Sequence, residues 1–440
     1  MVVGGQQVYI ISSPKHISEL YKDTVSFNRD LMSKELYHRA GIPRRVVDRI
    51  FEVDPKAPYN VNSARCMHST DVMMSLYRHH LSPGKSLNDL LADRITPCIL
   101  KALAPRTMPA PASVRTVSLH NVCVEVFVKG IAEAYYGPVL WEIEPNFVEW
   151  YMVWERVNWK FIFGLPAFLG RDMQIARRHL VGTFAKYFTL PQEQREQGNW
   201  WVRAVEEVLR QDKLNDHEIG CMFMLQTWAI LGNMFKTAFW LVAHIVYDPS
   251  ILDAIRTEMQ PALTGDQVDH RYLVEHCPHL DSLFSEVLRL RMASPMVRDI
   301  AVTSAIGGKT VRAGSRVLAS YRQLHLNPDV WGSAPHVLEA DRFAKDPGLR
   351  SNASYRPWGG GSTACPGRFL AKQAIFCFVA HLLRDSEIGL QQEGASAADA
   401  PDHPGRGRFP RADWSRPSPG IVGPLEGEDL TLVIRRVRRK

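Results

Sequence analysis

The sequence predicts a mainly α-helical domain with a small β region, and three observations carry that prediction. Segments 69–79, 87–103, 117–136, 146–163, 172–188, 220–246 and 367–383 repeat apolar residues every three or four positions, the spacing that buries one face of a helix. Short runs at 7–12, 294–300, 309–318 and 430–437 are instead bounded by Gly and Pro turns and rich in β-branched residues, as strands are. Finally, 45% hydrophobic and 22% charged residues over 440 positions are globular values that supply a sizeable core. One domain covering 1–440 is expected, without internal repeats.

In chain order, the strand at 7–12 leads into a helix at 15–21, and residues 31–110 mix short helices with loops. The pair His79-His80 is no metal site, because adjacent residues point to different helix faces. Gly137-Pro138 ends the helix at 117–136. The next helix is crowded with aromatic residues (Phe147, Trp150, Tyr151, Trp154, Trp159, Phe161, Phe163). Segment 220–246 is the longest apolar stretch, with Lys236 and His244 as its only basic groups and no acid. It is long enough to cross a bilayer, but a central lysine is expensive in lipid, and a buried helix explains the same composition. Residues 391–413, rich in Gly, Ala, Pro and charge, are expected to form a flexible insertion. A turn at 416–424 follows, whose apolar tip, Ile421 and Val422, is expected to enter a pocket.

Charge and cysteine usage exclude two classes. Of the formal charge of +7, five units come from the tail 435–440, leaving 48 basic against 46 acidic residues. A nucleic-acid surface would rest on that tail alone, without interleaved aromatics. The seven cysteines (66, 98, 123, 221, 277, 365 and 377) are odd in number and lack metal-finger spacing, which argues for a reducing compartment rather than a disulfide framework.

The stretch 358–371, Trp-Gly-Gly-Gly-Ser-Thr-Ala-Cys-Pro-Gly-Arg-Phe-Leu-Ala, concentrates the chemistry. Cys365 stands between a glycine-rich loop and an apolar helix, with Pro366 suited to the first helical position. A helix start offers free N–H groups and a positive dipole end, which lower a thiol pKa and favour the metal-binding thiolate. Gly359 to Gly361 permit close backbone approach to a flat ligand, and Trp358 is placed to cover the sulfur.

Trp358, Gly361, Cys365, Gly367 and Ala371 match aromatic-x-x-Gly-x-x-x-Cys-x-Gly-x-x-x-Ala, which resembles the haem-thiolate signature of the cytochrome P450 family. Tryptophan at the first position resembles the branch of sterol 7α-hydroxylases, prostacyclin synthase and fungal secondary-metabolite enzymes. The resemblance implies the cytochrome P450 haem-thiolate fold with haem b (iron protoporphyrin IX). Cys365 is its axial thiolate, Trp358, Gly361 and Gly367 surround it, and Arg298 meets a propionate, with Arg78 as a further candidate. Thr363 departs from the family, which commonly has Arg or His there. It also implies a buried structural cluster of Glu286, Arg289 and Arg342, with His325 structural, and makes 220–246 the core helix that crosses the haem.

On that helix Gly232, Asn233 and Met234 stand where oxygen-activating members carry a small residue, an acid or amide, and a threonine. Gly232 and Asn233 are the expected catalytic pair, with Thr237 one turn on. Leu231, Phe235, Met296 and Ile421 are the expected substrate pocket, and Trp150 and Trp154 an expected lipid or substrate surface. The implied activity is a monooxygenase acting on a lipophilic terpenoid, steroid-like or polyketide compound. Its electrons come from NADPH through a separate cytochrome P450 reductase, since the chain has no dinucleotide-binding Gly-x-Gly-x-x-Gly unit. A site on the cytosolic face of the endoplasmic reticulum with peripheral membrane contact is expected. So is the lack of the family's N-terminal membrane anchor and first helix. Two alternatives stay open: a haem-thiolate isomerase needing no electron donor, motivated by Asn233-Met234, and a truncated non-enzyme member.

Overall fold

Apolar residues at helical spacing fold as helices that enclose one continuous core, with the strands gathered at its edge. The computed structural model describes residues 1–3, 5–52, 68–107, 114–264, 267–384, 386–391 and 408–436. Most of the expected insertion at 391–413, and Cys66, lie outside them.

The larger sheet runs in the order Val2–Val3, Gln6–Ile11, Arg316–Ser320, Pro295–Ile300, Phe27–Asn28. Arg316–Ser320 pairs parallel with Gln6–Ile11 and antiparallel with Pro295–Ile300, setting Val317 opposite Arg298. Because strand side chains alternate, Met296 and Arg298 share one face. The smaller sheet places Thr431–Arg436 between Ser386–Leu390 and Val114–Ser118. That last strand replaces the first residues of the helix expected at 117–136. Its Val-Arg-Thr-Val-Ser sequence is suited to pairing, and Ser118 Oγ then accepts from the Asn121 N–H at 3.0 Å to start the helix.

The segment expected as one helix at 220–246 is two helices, Asp216–Leu231 and Met234–Tyr247. The break falls at Gly232-Asn233. A Cβ on Gly232 would lie 2.9 Å from the Trp228 carbonyl oxygen and 3.2 Å from Glu155 Oε1, so only glycine fits there. Asn233 takes the N-cap position, and its carbonyl accepts both the Thr237 N–H (3.0 Å) and Thr237 Oγ1 (2.9 Å). The Asp216–Tyr247 stretch is apolar and long enough to cross a membrane, but most of it is buried in protein. Lys236 resolves the choice: its Nζ lies 2.7 Å from buried Glu155 Oε2, so its charge is met inside the protein.

A chain of buried polar contacts runs from helix Pro278–Arg291 to the cysteine loop. Arg289 binds both oxygens of Glu286, at 2.6 and 2.8 Å, and Arg342 Nε reaches Glu286 Oε1 at 3.1 Å. Glu286 and Arg289 are fully buried. Arg289 also donates to the His325 carbonyl at 2.7 Å, while His325 Nδ1 lies 3.1 Å from the Arg289 carbonyl. His325 Nε2 in turn accepts the Arg356 N–H at 2.9 Å. The ring is therefore the neutral tautomer with hydrogen on Nδ1, and burial pushes its pKa down to about 3. Arg356 opens the loop that ends at Cys365.

Removing one partner of a buried charge cluster leaves the others uncompensated. Glu286→Ala is expected to destabilise the fold by about 3–5 kcal/mol, read as the midpoint shift in denaturant unfolding. An unchanged midpoint would show that the cluster does not support the loop.

Candidate active site

Helix Asp216–Leu231, the break at Asn233, strand Pro295–Ile300 and the cysteine loop enclose a cavity of about 540 Å³. Its walls are mainly apolar, from Met74, Ile230, Met234, Leu288, Met292, Met296 and Ile421. Of the described cysteines only Cys365 lines it. Cys365 is accessible although protein atoms crowd it, as a side chain facing an internal cavity must be. Its N–H donates to the Trp358 carbonyl at 2.9 Å, closing the loop on itself.

The helix after Cys365 begins at Arg368, two residues later than Pro366 suggested. Burial pushes the thiol pKa up, while the Gly367 and Arg368 N–H groups and the Arg368 charge pull it down. Burial wins, which corrects the expectation that the helix start alone favours thiolate. A coordinating metal ion deprotonates such a thiol outright.

Trp358 and Gly367 line the cavity, as does Gly359. Gly361 does not: at φ +59° it makes a turn against Tyr21, whose ring a Cβ would meet at 2.9 Å. Arg298 lines the cavity and donates to Thr363 Oγ1 at 2.6 Å and to the Val297 carbonyl at 2.8 Å. Burial lowers its pKa, and among the described residues no carboxylate forms a salt bridge with it. Thr363 thus fixes Arg298 in place of supplying a second cation. Arg78 instead donates to the Ser362 carbonyl at 2.6 Å, away from the cavity. An accessible cysteine, an apolar chamber and a half-buried guanidinium without a salt-bridged acid fit a haem with cysteine ligand and anionic propionates.

The expected pocket residues divide. Met296 and Ile421 line the cavity, but Leu231 and Phe235 do not. The cavity face of the helices follows Gln226, Ile230, Asn233 and Thr237, three or four residues apart, and the two misassigned residues lie off that stripe. Leu231 is buried in the core. Phe235 faces a separate cleft with His120, Glu155 and Lys236. Gly232 is off the cavity as well; it makes room for the helix break. Tyr77 and Gln226, joined by a 2.7 Å hydrogen bond on the cavity wall, were not singled out in the sequence.

Asn233 does line the cavity, but its Oδ1 accepts the Ile421 N–H at 2.9 Å. Gly420 lies against the amide so closely that a Cβ would come 2.0 Å from Oδ1. The turn carrying Ile421 is further tied by Ala293 N–H to Gly420 O (2.8 Å), Val422 N–H to Arg291 O (2.9 Å) and Trp240 Nε1 to Val422 O (2.7 Å).

Trp154 is fully buried against Phe161 and Trp228, and Trp150 stacks on His179 at 3.7 Å. Trp154 therefore cannot form the expected lipid surface, whereas Trp150 stays partly exposed. The exposed apolar groups nearest to them in the chain are Phe163, Phe168 and Leu169, on the Gly-Pro loop that follows that helix.

The sequence model for cytochrome P450 matches residues 139–399, more than half of the chain. Cytochrome P450 monooxygenase poxD of Penicillium oxalicum is 24% identical over 88% of this chain and 79% of its own length. Prostacyclin synthase of Rattus norvegicus is 26% identical over 51% of this chain, which spans about half of that relative, 47%. Among solved structures, retinoic-acid-bound cyanobacterial CYP120A1 superposes with a TM-score of 0.69 over 98% of this chain and 90% of that one, at 16% identity; that likeness concerns the fold.

The contact between Gly420 and Asn233 predicts a coupled pair. Gly420→Ala alone is expected to cost about 1–3 kcal/mol of stability through overpacking. In an Asn233→Ala background the added cost should largely vanish, because the clashing atom is gone. Equal costs in both backgrounds would contradict the contact.

Proposed function

The chain belongs to the cytochrome P450 family, a family of haem-thiolate monooxygenases, and we propose that it oxidises a lipophilic terpenoid, steroid-like or polyketide compound with O2. The observation that carries this reading is Cys365, alone among the described cysteines, opening into an apolar chamber of about 540 Å³, a volume within the usual range for small-molecule sites. Bound haem supplies oxygen activation and C–H oxidation, with the cysteine as its electron-donating ligand. In this reading electrons arrive from NADPH through a separate cytochrome P450 reductase.

The chain's own residues do the rest. Cys365 would hold the iron, with Trp358 and Gly367 lining the cavity beside it. Arg298, a half-buried cation on the cavity wall, would orient a propionate. Met292, Met296 and Ile421 exclude water and hold the substrate by apolar contact, so that position rather than polar binding selects the attacked bond. Exposed Phe163, Phe168 and Leu169 give a small apolar surface for peripheral membrane contact, consistent with the cytosolic face of the endoplasmic reticulum.

One observation favours the second reading, a rearrangement of a peroxide or endoperoxide without electron donor. Thr237 lines the cavity, but its hydroxyl donates to the Asn233 carbonyl at 2.9 Å, and Asn233 Oδ1 is occupied by Ile421. Of that pair, the Asn233 Nδ2 hydrogens alone remain to donate to a ligand oxygen in the cavity, a modest provision for proton delivery.

Two assays separate the readings. With reductase and NADPH, the monooxygenase consumes O2 on addition of a lipophilic substrate; turnover of an organic hydroperoxide to isomerised product without any donor, and no coupled O2 uptake, would overturn it. Arg298→Leu should weaken haem retention by about tenfold or more, as loss of a charge-assisted hydrogen bond does, measured by haem transfer to apomyoglobin. Unchanged retention would remove Arg298 from the haem site.

A further inference from the structure

Behind the turn that carries Ile421 lies a second, smaller pocket of about 230 Å³, unconnected with the haem reading. Two arginines and two histidines line it: Arg291, Arg322, His244 and His336. No Asp or Glu lines it among the described residues. The Arg291 guanidinium carbon lies over Trp240, 4.0 Å from the ring centre, and that of Arg322 over Trp414 at 3.6 Å. His244 stacks on Phe409 at 4.4 Å. Both guanidiniums are therefore held by indole faces rather than by carboxylates, which leaves N–H groups on each that can turn to a ligand.

The hydrogen bonding inside this pocket is incomplete. Arg322 donates to the Leu290 carbonyl at 3.2 Å. Arg291 Nε and His244 Nε2 are shielded from solvent and have no hydrogen-bond partner. An unpartnered buried polar group is costly, and an unpaired buried cation more so. Burial, and to a lesser extent neighbouring Arg322, lower the pKa of Arg291 to about 10. His244 is held well below its ordinary value by burial and by Arg291. An anion would relieve each of these costs.

We infer that the pocket bounded by Arg291, Arg322 and His244 binds a compact oxyanion of the phosphate class. Two guanidinium forks on one site suit the several oxygens of a phosphate, and 230 Å³ accommodates that group but not a whole lipid. The source is either free phosphate or the headgroup of an anionic phospholipid. The site also touches the active-site wall: the Arg291 carbonyl accepts the Val422 N–H, and Trp240, beneath the Arg291 guanidinium, donates to the Val422 carbonyl.

The test uses the haem-loaded full chain at pH 7. Sodium phosphate is titrated against sodium chloride of matched ionic strength while thermal unfolding and calorimetric binding are followed. Saturable stabilisation by phosphate, weakened at least tenfold in affinity by Arg291→Gln, is expected. Should Arg291→Gln fail to retain haem, Arg322→Gln with normal haem content serves the same purpose. A second arm measures flotation with phosphatidylcholine vesicles with and without phosphatidate. Arg291-dependent capture by phosphatidate with weak free-phosphate binding assigns the site to a headgroup; the reverse assigns it to the soluble ion. No phosphate-specific effect over chloride together with no Arg291-dependent capture, or equal responses in wild type and both variants, overturns the inference.

Discussion

The carboxylate of Glu286 is the fixed point of this structure. It is fully buried, holds Arg289 and Arg342, and accepts the Glu339 N–H at 3.2 Å. Such a group is tolerated only because its lone pairs are satisfied by cations and an N–H. Through Arg289 it orients His325, and through His325 it positions Arg356, the residue from which the cysteine loop departs. The aim of Cys365 thus depends on an ion pair with no access to the cavity. Tyr355 adds a second tie, its hydroxyl donating to the Ser285 carbonyl at 3.0 Å, so the loop is fastened to the same helix twice.

Opposite the sulfur, the cavity depends on a helix break. Gly232 removes the side chain that would strike Glu155, and Asn233 turns its amide to the Ile421 N–H. The residue expected from the family resemblance to be catalytic therefore spends half of its amide on architecture. The same turn passes the Arg291 pocket, so the wall facing the substrate is held from inside by Asn233 and from behind by Arg291 and Trp240. A rigid wall of this kind selects substrates by shape, since a misfitting group has no compliant side to displace.

What was legible in the sequence follows the range of the interaction concerned. The cysteine loop is a local motif, and Met296 and Arg298 share a face through strand alternation, so their placement needed only short-range rules. Glu286 and Arg289 are one helical turn apart, although their burial came from resemblance and not from spacing. Leu231 and Phe235 were misplaced because helical phase advances 100° per residue, and the break at Gly232-Asn233 was not visible in a run of apolar residues. Trp154 shows the matching ambiguity, since an aromatic stripe reads alike whether it faces lipid or core. The thiol of Cys365 was misjudged because a helix start can be read locally while desolvation cannot. The Arg291 pocket joins residues from 244 to 414, a juxtaposition that only the tertiary structure reveals.

The most direct test of the account is the carbon-monoxide difference spectrum of the reduced chain, set beside that of Cys365→Ser. The account predicts the strongly red-shifted Soret band of thiolate-ligated haem for the natural chain and its loss in Cys365→Ser. A chain that binds no haem, or one whose spectrum is the same with serine at position 365, would contradict the assignment of Cys365 and the site built around it.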